Sequence, residues 1–172
     1  MASPSSPFLP VDPIKRRGLL ASFAVLLGSL WGGAKAEAAS KAADPSWQLS
    51  DSEWRKRLSP AAYDVLRREG TERPFTSPLN NEKRKGTFLC AGCRLPLFSS
   101  SAKFDSGTGW PSFFQPLPEA VTTKTDFKLL VPRTEYHCSR CGGHQGHVFN
   151  DGPRPTGKRY CNNGVALEFK AG

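Results

Sequence analysis

Five cysteines and three histidines hold most of the chemistry available to this chain. Four of the cysteines form two Cys-x-x-Cys pairs, Cys90-Ala-Gly-Cys93 and Cys138-Ser-Arg-Cys141. Each pair presents two thiolates on one tight turn, and two such turns brought together build the tetrahedral four-sulfur cage that Zn²⁺ prefers. Gly92, Gly142 and Gly143 are expected to give those turns their backbone freedom. The other reading of the same spacing is a pair of disulfides, which an exported protein can form in an oxidising compartment. The fifth cysteine, Cys161, lies in Arg159-Tyr160-Cys161-Asn162-Asn163. A lone cysteine often serves as a small buried hydrophobe. Here it follows the basic, turn-rich stretch from Pro153 to Arg159, where positive charge favours a thiolate, so a nucleophile is the alternative. His144 and His147, in His144-Gln145-Gly146-His147, can give or relay a proton near neutral pH, or do structural duty as ligands or carbonyl partners. Trp110, in Gly109-Trp110-Pro111-Ser112-Phe113-Phe114, reads either as core or as the wall of a small apolar pocket for a methyl or thioether group.

Short antiparallel strands are the elements that must position these groups. After Gly70, apolar or alternating runs are separated by Gly, Pro, Ser and Asn, and strands are expected at Gly86–Leu89, Val121–Thr125, Phe127–Val131, Thr134–His137, His147–Phe149 and Val165–Phe169. Two short helices precede them. Ser50 or Asp51 caps one that runs through Leu58, and Ser59-Pro60 opens another that carries Tyr63 and Leu66 one turn apart and stops at Gly70. The expected fold is therefore mainly β, antiparallel, with short N-terminal helices.

The start of the chain reads as an address. Lys15-Arg16-Arg17 precedes an apolar run from Gly18 to Trp31, and a small-residue stretch from Ala34 to Ala39 follows. This is the three-part pattern of an export signal with twin-arginine character, and the apolar run is too short and glycine-rich for a comfortable membrane span. A cleaved signal over residues 1–39 is expected, with delivery to the bacterial periplasm and no stable membrane insertion afterwards. A membrane anchor or an organelle transit peptide is the alternative. Residues 40–46 read as a linker and residues 47–172 as the folded domain.

Most of the formal charge of +9 survives loss of that signal: Lys15, Arg16, Arg17 and Lys35 leave with Asp12 and Glu37, so 20 basic and 13 acidic residues remain and the balance is +7. The remaining basic residues are scattered in short clusters such as Arg55-Lys56-Arg57 and Lys83-Arg84-Lys85. Such clusters are usually solvated faces, so no nucleic-acid partner is expected.

Five ordered elements closely resemble the methionine sulfoxide reductase B family over about residues 47–170. They are the two Cys-x-x-Cys pairs, Gly-Trp-Pro-Ser-Phe at 109–113, Gly-His-x-Gly-His-Val-Phe at 143–149, Asp-Gly-Pro-x-Pro-Thr-Gly at 151–157, and Arg-Tyr-Cys-x-Asn at 159–163. The resemblance implies two antiparallel sheets stapled by one structural Zn²⁺ on Cys90, Cys93, Cys138 and Cys141. It also implies thiol-dependent reduction of the R epimer of methionine sulfoxide in oxidised proteins, a repair of oxidative damage. By the same resemblance Cys161 attacks the sulfoxide and becomes a sulfenic acid, while His144, His147 and Asn163 hold and protonate the departing oxygen. Trp110, with Phe149, closes the pocket around the substrate methyl, and Arg159 favours the thiolate.

Two departures from the family pattern stand out. Many members carry a resolving cysteine just before Gly-Trp-Pro, where this chain has Thr108. The sulfenic acid then has to be reduced by an external thiol, such as a thioredoxin-like or glutaredoxin-like protein. Gly164 replaces the small hydroxyl residue that often follows the asparagine, which is expected to loosen that corner of the site. A monomer is expected. The competing readings are a zinc-stapled binding platform in which Cys161 is packing, and a zinc ribbon for nucleic acid.

Overall fold

The computed structural model describes residues 44–172; the export signal read at 1–39 and residues 40–43 of the linker lie outside the described residues. Helix α1 spans Asp51–Arg57 and helix α2 spans Pro60–Arg68. Ser50 and Glu53 form a reciprocal capping box at the start of α1, and Ser59 caps α2 ahead of Pro60. The helix ends as expected before Gly70, at Glu69, which takes a left-handed conformation (φ 56°). Tyr63 and Leu66 share the buried face of α2 with Ala62 and Val65.

Among the described residues, nine strands form two antiparallel sheets. The smaller has the order β2-β1-β9, with β1 at Gly86–Cys90, β2 at Pro96–Ser99 and β9 at Leu167–Ala171. The larger has the order β3-β4-β8-β7-β6-β5. These strands are Lys103–Phe104, Ser112–Phe113, Arg159–Asn162, His144–Phe149, Arg133–Cys138 and Val121–Asp126 respectively. Phe88 and Phe98 of the small sheet meet Phe113 of the large one, with ring centroids 4.9 and 4.2 Å apart, in a wholly buried aromatic core. Such pairs add to the burial of their area, which is the main stabilising term here. Bulges between Phe88 and Leu89 and between Tyr136 and His137 bend β1 and β6 just before Cys90 and Cys138, so each strand delivers a cysteine pair at its end.

Three expectations need correction. Phe127–Val131 is not a strand: β5 and β6 pair up to Asp126↔Arg133, which makes residues 127–132 the loop of that hairpin, and its apolar side chains lie exposed. Val165 belongs to a 3₁₀ turn, Gly164–Ala166, and the strand begins at Leu167. The short strands β3, β4 and β8, with β2, were not expected at all, since two to four residues carry too little alternation to read.

Candidate active site

Cys161 sits in a register row across the larger sheet. It lies opposite His147 of β7 on one side and Ser112 of β4 on the other, and Glu135 of β6 is in turn opposite His147. Opposed residues of antiparallel strands place their side chains on one face about 5 Å apart, so pairing alone sets an imidazole beside the thiol. Gly146 makes this approach of β7 to β8 feasible: a Cβ there would stand 1.9 Å from the Cys161 carbonyl oxygen.

The row opens into a cavity of about 170 Å³ lined by Thr71, Trp110, Arg133, His147, Phe149 and Asn163 around Cys161. Of the residues singled out by sequence, Cys161, His147, Asn163, Trp110 and Phe149 meet at this cavity. His144 and Arg159 stand behind its wall. His144 is buried, donates from Nδ1 to Glu135 Oε1 at 2.5 Å, and has its ring 5.6 Å from that of His147. Burial lowers its pKa to about 4 against the pull of Glu135, so the ring is neutral at neutral pH. His147 donates from Nε2 to Asp126 Oδ2 at 2.7 Å, which leaves Nδ1 as its second ring nitrogen. Asp126 also accepts from Arg133 and from the Lys128 backbone N–H, and these bonds hold its carboxyl well below the usual carboxylate range.

Burial pushes the Cys161 thiol up, while the charge of Arg159 and hydrogen bonds with Thr108 and Arg159 pull it down without overcoming that. The expected bias toward thiolate is therefore outweighed. Arg159 is gripped by Asp151 through Nε at 2.9 Å and Nη2 at 2.8 Å, and it lies over the Phe149 ring at 4.2 Å. Its partner carboxylate works against the thiolate. Thr108 belongs to a chain of hydroxyls in which its Oγ1 lies 2.8 Å from Ser106 Oγ, itself 2.8 Å from Ser112 Oγ.

Glu72 ties the far wall together, and sequence reasoning missed it. Its carbonyl accepts from Trp110 Nε1 at 2.9 Å, its N–H donates to Asn163 Oδ1 at 2.9 Å, and its carboxylate accepts from the backbone N–H of Gly164 at 2.5 Å. Asn163 donates one amide N–H to Gln145 O at 3.0 Å. The expectation that Gly164 loosens this corner is overturned: a Cβ on Gly164 would lie 1.9 Å from Ser77 Oγ, so the buried Ser77 already fills the space. Glu135, Asp126 and Glu72 were missed for one reason. An acid within a short strand or irregular segment reads as solvent-facing until its partners are known, and no local signal in the sequence marked these three.

The other four cysteines converge elsewhere, with all four sulfurs within 4.8 Å of one another and all four residues buried. Cys90 Sγ lies 3.7 Å from Cys141 Sγ, and Cys93 Sγ lies 3.4 Å from Cys138 Sγ. A disulfide needs about 2.05 Å. A tetrahedron with metal–sulfur arms of about 2.3 Å has edges of roughly 3.8 Å, so the donor set fits one four-coordinate metal ion of the zinc kind. The left-handed residue that closes each turn follows its second cysteine. It is Gly142 (φ 67°) in one pair and Arg94 (φ 60°) in the other, not Gly92 or Gly143, and their N–H groups donate to Cys138 O and Cys90 O. Glu135, His137 and His144 form a second close group of possible ligands.

Residues 58–171 match the SelR domain family. Among curated relatives, peptide methionine sulfoxide reductase B1, chloroplastic, of Arabidopsis thaliana is 54% identical over 124 residues, which cover 72% of this chain and 61% of that protein. Peptide methionine sulfoxide reductase MsrB of Agrobacterium fabrum is 53% identical over 127 residues, covering 73% of this chain and 94% of that protein. The MsrB of Methanosarcina barkeri is 54% identical over 124 residues, covering 72% of this chain and 87% of that protein.

Proposed function

Because the chain belongs to the methionine sulfoxide reductase B family, we propose that it reduces the R-sulfoxide of protein-bound methionine with Cys161 as the attacking sulfur and no internal cysteine to resolve the product. Reduction of methionine sulfoxide restores an apolar side chain that oxidation had made polar, and it draws its electrons from a thiol. The observation that carries the finer reading is Cys161 facing His147, Trp110, Phe149 and Asn163 in one small cavity.

In the proposed step the Cys161 thiol reacts with the sulfoxide to give a cysteine sulfenic acid and methionine. The substrate S–O bond breaks as an S–O bond forms on Cys161. Substrate sulfur gains two electrons, cysteine sulfur loses two, and the thiol proton ends on the transferred oxygen. Burial keeps that proton on Cys161 at rest, and His147, through Nδ1, is placed to relay it. The second N–H of the Asn163 amide is left to bind the oxygen, since the first bonds Gln145. Trp110, held through its indole N–H by Glu72, and Phe149 offer apolar walls to the methyl group. His144 positions the row from behind, and Arg159 tempers the rise of the thiol.

Two molecules of an external thiol, free or in a thioredoxin-like or glutaredoxin-like protein, would return the sulfenic acid to the thiol and leave as a disulfide with one water. The reason is Thr108 beside Cys161, with the other four cysteines gathered into the cage. Cys90, Cys93, Cys138 and Cys141 would hold one Zn²⁺, a closed site that stabilises the fold and leaves no open position for substrate. Export through residues 1–39 is part of the proposal and rests on the sequence alone; the N-terminus of the protein recovered from cells tests it.

The deciding experiment is mass spectrometry of the metal-loaded protein after one equivalent of methionine R-sulfoxide without reductant. One added oxygen on Cys161 and no new disulfide is expected, and Cys161→Ser is expected to stay folded and turn over nothing. Activity persisting in Cys161→Ser would defeat the reading.

A further inference from the structure

Among the described residues, the large hydrophobics left exposed are Phe75 (73%), Phe127 (73%), Leu129 (58%), Leu130 (105%) and Val131 (71%). They fall on two segments, and both are rooted at the same cavity. The loop 127–132 leaves from Asp126, which holds His147, and returns at Arg133, which lines the cavity and pairs with Asp126. Phe75 lies on the irregular segment between α2 and β1 that supplies Thr71 to the lining and Glu72 to the indole of Trp110. Its own N–H donates to Gly109 O at 2.7 Å, one residue before that tryptophan.

Chance exposure of single apolar residues is normal, but a contiguous run on a surface is a mark of an interaction site. Folding does not account for this run, because the aromatic core is complete without it: Phe88, Phe98 and Phe113 are wholly buried. The loop is also held. The Lys128 N–H donates to Asp126 Oδ1 at 2.8 Å, and Lys128 Nζ pairs with the Glu69 carboxylate. That turns the loop's charged residue back toward α2 and leaves apolar groups on the outer face.

We propose that the loop of Phe127, Leu129, Leu130 and Val131, with Phe75 on the neighbouring segment, binds the apolar residues that flank methionine sulfoxide in an unfolded polypeptide. This deepens the reductase reading and rests on it. A chain with its sulfoxide side chain in the cavity must pass over the rims, and an extended chain advances about 3.3 Å per residue, so the close neighbours of the oxidised methionine are the groups that reach the loop. Methionine is mostly a core residue, and its oxidation disrupts cores, so the flanking residues exposed with it are apolar. The surface and its ligand then share a cause.

The test compares the wild-type protein with the triple variant L129S/L130S/V131S on three substrates that each carry methionine R-sulfoxide. One is a synthetic peptide with Leu and Val around the sulfoxide, one has Ser and Gly there, and the third is N-acetyl-methionine sulfoxide. The wild-type protein is expected to favour the apolar peptide over the polar one by roughly tenfold in kcat/KM, expressed in KM, since partial burial of a few aliphatic side chains is worth about that much. The triple variant is expected to lose the preference and to turn over the small substrate at the wild-type rate, which also shows that it folds. F75S is expected to lose part of the preference. A preference that is missing in the wild-type protein, or intact in the triple variant, overturns the proposal. If the preference stays intact while the triple variant loses binding to phosphatidylglycerol vesicles or loses self-association in sedimentation, the loop serves a membrane or a second copy, and the proposal is equally overturned. Failure of the wild-type protein on all three substrates would strike at the reductase reading itself, and with it this one.

Discussion

Cys161 keeps its proton near neutral pH because desolvation of a half-buried thiol outweighs one neighbouring guanidinium that is already paired. Burial raises a thiol by disfavouring its charged form, and opposite charge lowers it; at this site both act, and burial is the larger. Alkylation of Cys161 by iodoacetamide in the metal-loaded protein should therefore rise with pH to a midpoint above that of an ordinary cysteine. Arg159→Gln removes the attraction and leaves Asp151 unpaired beside the sulfur, so the midpoint should move further up. Alkylation at neutral pH should slow by roughly three- to tenfold. Faster alkylation in that variant would mean that Arg159 acts on Cys161 mainly through some route other than its charge. His144 behaves in the opposite sense to an ordinary histidine for the same reason: at 2% exposure it stays neutral well below pH 6.

The distance between strands β7 and β8 is what turns separate motifs into a site. His147 and Cys161 are register partners, and that register survives only while Gly146 lacks a Cβ. Gly146→Ala forces a methyl group against backbone rather than against a movable side chain, at a cost of about 2–3 kcal/mol. A drop in Tm of roughly 10 °C is expected for a domain of this size, with a larger proportional loss of turnover. Gly92→Ala is the matched comparison, because its Cβ would meet Cys141 Sγ and the Trp54 ring at 3.5 Å, an ordinary contact. Equal melting of the two variants would show that the β7–β8 spacing is soft. Elements also explain why 127–131 is a loop where a strand was expected. Its apolar run looks like a core strand, yet the pairing of β5 with β6 ends at Asp126 and Arg133, and Pro132 has no N–H to extend it.

At the scale of the molecule, the cysteine cage joins the two sheets. Cys90 ends β1 of the three-stranded sheet and Cys138 ends β6 of the six-stranded one, and Trp54 and Leu66 of the helices pack with them in one core. A metal ion bound there stabilises the folded chain against an unfolded one that has no such site. Removing it with a chelator, or through Cys90→Ala, should lower Tm by roughly 10–20 °C, while a melting curve that does not move would show that the fold is held by its aromatic core alone.

The sequence by itself determined the family, the two cysteine pairs, the lone Cys161 and the helix cap at Ser59, because each rests on residue types at fixed spacing or on interactions within a few residues; the structure chose Ser50 over Asp51 as the first cap and a cage over two disulfides. The cavity was legible only in part. Trp110, His147, Phe149, Asn163 and Cys161 could be named, but Glu72, Asp126 and Arg133 could not, since their roles come from contacts between segments far apart in the chain. Only the tertiary structure decided the protonation of Cys161 and His144, the filling of the Gly164 corner by Ser77 and the exposure of the 127–131 loop. Burial is a property of what packs against a residue, and a sequence does not state its own neighbours.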